Sequence, residues 1–308
     1  MVLQGFSMQI PARIGTKIIY LSFFSIFLIC VIIFLLIPLQ EVTMRFTVLC
    51  ENTSAHPNIA AEHGFSLLIE TDNCKVLFDM GQSDIFAANA AALNLSLDDV
   101  HFAVLSHGHY DHAGGIKTFL QLNPKAPIYV SHHAFGDYYN AEDKFIGIDR
   151  CINCHPNIRM TGNITRLFPG FSLFTCNDLE RPFPVSAFGL TESSCNGKME
   201  DRFLHEQYLL IHHKGKRILI SGCSHKGIEN IISWFKPDVF IGGFHMMKVD
   251  VHHHEGQKYL DQMAKNLLKY DTLYYTAHCT GMEQYAFLKE RMRDRLHYLS
   301  CGDMLSIE

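Results

Sequence analysis

Phe102-Ala103-Val104-Leu105-Ser106-His107-Gly108-His109-Tyr110-Asp111-His112-Ala113-Gly114-Gly115 is the stretch from which the rest of the chain is read. Its first four residues form an apolar run that reads as a short buried strand. The glycines that close it set a tight strand-to-helix turn. Between them lie three imidazoles and a carboxylate within six positions, in the order H-x-H-x-D-H. Neutral imidazoles and carboxylates are the donors that a borderline-soft divalent cation such as zinc takes. Crowded on one turn with no core residue among them, they make little sense unless a cation neutralises and organises them. In a chain with 19 His, two at i and i+2 arise readily by chance. Three with an Asp at the end of an apolar strand do not, so a cation site is expected here.

The chain has 308 residues, 48% hydrophobic and 19% charged, which suits an enzyme with a substantial core. Net charge is −5 with no long basic block, so nucleic-acid binding through a broad positive face is not indicated. The 10 Cys are scattered, a pattern that favours reduced thiols and metal sites over a disulfide framework. Cys151-Ile152-Asn153-Cys154-His155 has the letters of a c-type haem attachment, but no second Cys pair accompanies it, and a surface loop is the reading adopted.

The N-terminal residues 1–43 read as a leader. Within it Ile18–Ile37 is uncharged, rich in Ile, Phe and Leu, and long enough to cross a bilayer. Arg13 and Lys17 precede it, which leaves the N-terminus in the cytosol and anchors the chain to a membrane. A second reading starts translation at Met44, with residues 1–43 a start-site artefact and the protein cytoplasmic. Codons for Gln40-Glu41-Val42 permit a ribosome-binding string just upstream. Either way residues 44–308 are expected to be the catalytic domain.

From Met44 onward short apolar runs alternate with turns. Phe46–Cys50, Ser66–Glu70, Lys75–Phe78, Phe102–Leu105 and Pro127–Val130 read as strands, Ser83–Leu93 and Lys117–Leu122 as helices. The second half restarts the rhythm with Tyr208–His212 and Arg217–Ile220, the helix Ile228–Phe235, the strand Val239–Ile241, the helix Gln257–Lys269 and the strand Leu273–Tyr275. Residues 136–202 are irregular and read as loops and short strands over the site. Two halves of this kind predict two packed sheets with helices outside.

Asp79 in Phe78-Asp79-Met80-Gly81, the H-x-H-x-D-H run and Gly114-Gly115 together resemble the metallo-β-lactamase superfamily. More locally the chain is similar to a branch of dihydropterin-ribofuranosyl-aminobenzene-phosphate synthase-like hydrolases. The pieces that carry this are Glu62-His63-Gly64-Phe65-Ser66, Ser106–Gly115, His205-Glu206-Gln207, Gly222-Cys223-Ser224-His225, Gly242-Gly243-Phe244-His245 and His278-Cys279-Thr280-Gly281. The resemblance implies an α/β fold, an αβ/βα four-layer sandwich of two mixed β-sheets flanked by helices. It implies one or two Zn2+ ions, with Mn2+ or Fe as other candidates. His107, His109 and His205 would hold one ion; Asp111, His112 and His278 the other, with Asp111 best placed to meet the attacking water. Asp79 would orient a ligand imidazole. Where the superfamily has a bridging Asp, this chain has Cys223 and then His225. Either Cys223 is a thiolate ligand, or His225 replaces the bridge, or the second site is weak. His133, His245, Lys226 and Arg202 are candidates for holding substrate, the two cations for a phosphate. His252-His253-His254-Glu255 reads as a solvated cap.

The expected function is a metal-dependent hydrolase acting through a metal-activated water on a phosphoester or related small metabolite. Two alternatives stand beside it: an iron-dependent redox enzyme of the same fold, and a non-catalytic metal-stabilised binding protein. His109 stands where the diiron class has Glu, which argues against the first. The partner is a small-molecule substrate; the sequence leaves the oligomeric state open.

Overall fold

A computed structural model describes residues 43–308, and in it the strand rhythm builds two sheets of seven strands each. The first holds, edge to edge, Met304–Ile307, Met44–Cys50, Ser66–Glu70, Lys75–Phe78, Phe102–Val104, Ile128–Ser131 and Ile158–Thr161. Its first four strands pair antiparallel and the rest join in parallel. The second sheet repeats the plan. Ile164–Phe168, Phe171–Phe174, Tyr208–His213 and Lys216–Ile220 are antiparallel, then Val239–Ile241, Leu273–Thr276 and Leu296–Tyr298 add in parallel.

Alternation along the strands explains the layers, because successive side chains point to opposite faces. Phe46, Val48, Leu67, Ile69, Val76, Phe78 and Val104 face Leu209, Ile211, Ile218, Ile220, Val239 and Ile241, and this contact is the core between the sheets. Residues of the other parity turn outward. Leu68, Leu77 and Ala103 pack on the helices Ile85–Ala92 and Ile116–Leu122. Leu219, Phe240 and Tyr274 pack on Ile228–Phe235, His254–Leu267 and Met282–Met292. The helix Ile228–Phe235 buries Ile228, Ile231, Ile232 and Phe235, one face at helical spacing. The result is the helix–sheet–sheet–helix sandwich expected from the sequence.

Two differences follow from edge position. Residues 136–202 supply Ile158–Thr161, Ile164–Phe168 and Phe171–Phe174, the outer strands of both sheets, besides a small three-stranded sheet of Tyr138–Tyr139, Thr191–Ser194 and Gly197–Glu200. Ile164–Phe168 is buried at none of its positions, so it lacks the apolar run that marks a central strand. Leu296–Tyr298 and Met304–Ile307 were likewise not expected; they too are edge strands. His253 caps the helix His254–Leu267, accepting from Glu255 N–H, and His252–Glu255 is exposed as read.

The membrane anchor is corrected. Among the described residues no helix is long and apolar enough to cross a membrane. The longest, His254–Leu267, has 14 residues, about 21 Å at 1.5 Å per residue, against about 30 Å for a bilayer core. Residues 18–37 lie outside the described residues. The transmembrane helix and the membrane-anchored location are therefore dropped.

Candidate metal centre

The donors gather because strand ends deliver them to one edge of the sandwich. Glu51 and Asn52 follow Met44–Cys50, Asp79 follows Lys75–Phe78, and Ser106–His112 follows Phe102–Val104. Cys223–His225 follows Lys216–Ile220, His245 follows Val239–Ile241, and His278 follows Leu273–Thr276. Asp79, Ser224, His245 and His278 have φ of 59°, 60°, 56° and 52°, left-handed values that non-glycine residues rarely hold. Such conformations cost on the order of 1–3 kcal/mol each and persist where the surroundings over-determine them. Gly222 precedes Cys223 for a steric reason: a Cβ there would lie 2.3 Å from Ser106 Oγ.

Asp79 organises the nitrogens. Fully buried, it accepts from Ser106 N–H at 2.7 Å, from Ser106 Oγ–H at 2.6 Å and from His112 Nδ1–H at 2.7 Å. Because Ser106 Oγ gives its proton to the carboxylate, it can accept from His107 Nδ1–H at 2.8 Å. Asn52 Oδ1 accepts from Gly64 N–H and from His278 Nδ1–H at 2.8 Å. His107, His112 and His278 are thus all turned with Nδ1 outward and Nε2 inward. Partners behind the ring that fix tautomer and direction are what a ligand imidazole needs. Glu51 holds the loop beneath, accepting from His278 N–H at 2.6 Å and Tyr298 O–H at 2.5 Å.

The inward atoms face one another. His112 Nε2 and His278 Nε2 are 3.2 Å apart; His107 Nε2 and His225 Nε2 are 3.3 Å apart. Asp111 Oδ2 lies 3.2 Å from His278 Nε2 and 3.3 Å from His63 Nε2. Cys223 Sγ lies 3.2 Å from His112 Nε2. Its sulfur is within 4.8 Å of the donor atoms of both His107/His225 and His112/His278. Lone pairs at such separations repel unless a proton or a cation sits between them. Among the described residues, three of the five buried side-chain N and O atoms without a partner are His109 Nε2, His225 Nδ1 and His245 Nε2. Buried polar groups without partners are costly, so their concentration here marks donors left for a ligand.

Charge points the same way. Burial, then mutual repulsion among the imidazoles, holds His107 and His225 well below the ordinary histidine range. Burial pushes His109 and His205 down to about 3. These rings are neutral, the form that binds metal. Burial works against the charge on Asp111, but His112 and hydrogen bonds from His278 and His63 hold it well below the carboxylate range. Burial also opposes charge on His112, yet Asp111 and Asp79 outweigh it and lift the ring to about 9. Burial pushes the Cys223 thiol up. The neutral imidazoles of His107, His109 and His225, one ionised carboxylate and one thiol fit a divalent cation of the zinc type, which on binding would displace the proton that Asp111 and Asp79 hold on His112.

Not every candidate from the sequence reaches this cluster. His205 accepts from Gly108 N–H on Nδ1 at 3.0 Å and meets Asp201 Oδ2 on Nε2 at 3.2 Å, so both nitrogens are engaged. His205 lies with His109 and Asp201 in a separate group of donor atoms within 4.8 Å of one another, while His225 turns Nε2 to within 3.3 Å of His107 Nε2. Lys226 is fully buried, donates to Thr175 O and Glu206 O at 2.6 and 3.0 Å and does not line the cavity; burial pushes it down to about 8. His133 packs against His132, ring centroids 4.0 Å apart and tilted by 40°, and lines a separate depression with Arg202, which is paired with Glu192. His245 does reach the cluster, 4.2 Å from His225. Among the described residues, all cysteines are free.

Sequence reasoning missed His63, Cys279 and Asp201. His63 and Cys279 lay inside motifs already singled out, which was the available signal. Asp201, isolated in the irregular stretch, offered none. His63, His109, Asp111, Cys223, His225, His245, His278 and Cys279 line one cavity of about 240 Å³, with Tyr110, Asn140, Ile146, Phe188, Leu190, Met247 and Lys248 completing it.

Residues 60–150 match the family model described as the metallo-beta-lactamase superfamily. An uncharacterized protein, MJ0448, of Methanocaldococcus jannaschii is 29% identical over 283 residues, covering 84% of this chain and 99% of the relative. The 7,8-dihydropterin-6-methyl-4-(beta-D-ribofuranosyl)-aminobenzene-5'-phosphate synthase of the same organism is 25% identical over 273 residues, covering 80% of this chain and 90% of the relative. The crystal structure of Tm1679, described as a metal-dependent hydrolase of the beta-lactamase superfamily, superposes with a TM-score of 0.73 at 27% identity, covering 86% of this chain and 99% of that one.

Proposed function

From the premise that this chain belongs to the metallo-beta-lactamase superfamily, we propose that it is a divalent-cation-dependent hydrolase acting on a small anionic ester, a phosphoester first among them. The observation that carries the reading is the facing of inward-turned Nε2 atoms, His107 against His225 at 3.3 Å and His112 against His278 at 3.2 Å, beside an ionised Asp111 in one cavity.

His107, His109 and His225 would hold one cation; Asp111, His112 and His278 a second; Cys223 lies between the two groups. A divalent cation there supplies Lewis-acid polarisation and lowers the pKa of a water in its open position from about 15.7 to about 7. Asp111, whose Oδ2 faces the cavity beside His278 and His63, would orient such a water by accepting a hydrogen bond. His63, about half exposed and hydrogen-bonded to the same Oδ2, is the route by which a proton leaves for solvent. Phe188, Leu190, Ile146 and Met247 give the cavity an apolar wall that excludes water from the bound ester. Lys248 lines the same cavity and supplies the positive charge an anionic substrate needs.

The test is turnover of phosphomonoesters, phosphodiesters and lactones by the zinc- or manganese-loaded chain. Asp111→Asn is expected to lower it by about 10²–10⁴-fold, the usual worth of a positioned proton-transfer group. Full turnover in both Asp111→Asn and His107→Ala would overturn the reading.

A further inference from the structure

We propose that Cys223, Cys279 and His245 form a sulfur-rich site for a thiophilic cation such as zinc, cadmium or copper(I), set beside the imidazole and carboxylate donors. Their two sulfurs and one imidazole nitrogen lie within 4.8 Å of one another. The fold delivers them as a set. Lys216–Ile220, Val239–Ile241 and Leu273–Thr276 are consecutive parallel neighbours, and the loop after each carries one soft donor to the same edge.

Three further observations separate this cluster from ordinary packing. Cys50 and Cys74 lie among core side chains, as small hydrophobes do, whereas Cys223 and Cys279 line the cavity. Gly243 clears the space for sulfur, since a Cβ there would lie 2.4 Å from Cys279 Sγ. His245 Nε2 is buried without a hydrogen-bond partner, although the residue as a whole is partly exposed. Two thiolates would balance the charge of a divalent ion. Soft sulfur donors favour zinc, cadmium or copper(I) over magnesium or manganese.

The site shares Cys223 with the hydrolytic centre but does not depend on its chemistry. The test uses the full chain, reduced and stripped of metal, titrated with Co2+ and followed by sulfur-to-cobalt charge-transfer absorption. The native chain is expected to show the band. Cys279→Ser should lose roughly half its intensity per bound ion, one of two sulfurs being gone. His245→Ala should weaken cobalt binding about tenfold or more with the band retained. Circular dichroism confirms that the variants fold; should Cys279→Ser unfold, Cys279→Ala and His245→Gln carry the same comparison. Cobalt bound without a sulfur band, a full band in the Cys279 variant, or native affinity in the His245 variant would each overturn the site. No substrate enters this measurement, so its failure leaves the hydrolytic reading standing. Absence of hydrolysis with the band intact removes only the latter.

Discussion

Asp79→Asn tests whether the carboxylate behind the rings sets the donor atoms in front of them. The carboxylate accepts three hydrogen bonds, at 2.7, 2.6 and 2.7 Å. An amide of the same shape can still accept from Ser106 N–H with its oxygen. Its NH₂ then faces Ser106 Oγ and His112 Nδ1, where only acceptors are wanted. His112 can meet it by moving its proton to Nε2, which removes the lone pair aimed at His278 and Cys223. Asn tolerates the left-handed φ of 59° at this position, so the backbone has no reason to move. Losing a partner behind a ligand imidazole costs about 10–100-fold in metal affinity. That range equals about 1.4–2.8 kcal/mol. Ser106 Oγ–H also loses a charged acceptor, about 1.5–3 kcal/mol of folding stability. The assay is zinc titration against a chromophoric chelator, with metal content measured on the folded variant. An Asn variant that binds the same number of ions within about threefold of native affinity would refute the reasoning.

His225→Ala should lower bound metal while His205→Asn leaves the stoichiometry intact, because only His225 turns a ring nitrogen toward His107; metal analysis of the two purified variants decides it. Zinc at 100 times its Kd should raise the unfolding free energy by about 2.7 kcal/mol over the chelator-treated chain, read by thermal or urea unfolding, and an unchanged midpoint would contradict a native cation site. Lys226→Met should destabilise the fold by about 1–3 kcal/mol, since it leaves the buried carbonyls of Thr175 and Glu206 without the ammonium that donates to them; urea unfolding of the variant measures it. Lys248→Met should raise KM for an anionic ester roughly tenfold with kcat little changed, the mark of lost binding rather than lost chemistry.

What was legible in the sequence was local. His107, His109, Asp111 and His112 sit on one turn, so contiguity alone exposed them. Asp79, next to a strand end and a glycine, was read as a ring-orienting group, and its carboxylate lies on His112 Nδ1. The central strands showed themselves through unbroken apolar runs such as Leu67–Ile69 and Ile218–Ile220, buried on both faces. The outer strands did not, because edge positions such as Ile164–Phe168 carry no such run. Choosing between His205 and His225 was beyond spacing. In the fold Gly108 N–H and Asp201, contacts across 97 and 4 residues, engage both nitrogens of His205, whereas His225 turns Nε2 to within 3.3 Å of His107 Nε2. Lys226 misled for a related reason: cations are mostly solvated, and nothing local announces one that is folded inward onto carbonyls.

Among the described residues the last strand, Met304–Ile307, lies alongside the first, with Met44 opposite Ile307 and Thr47 opposite Met304. A ribosome making 5–20 residues per second needs on the order of 13 to 50 s to travel from residue 50 to residue 307. Throughout that interval Met44–Cys50 waits with one flank of its peptide groups uncovered, an invitation to pair with a neighbouring nascent chain. Closing that seam must await the synthesis of residues 304–307, and a higher density of nascent chains raises the chance that a neighbour's strand reaches the open flank first.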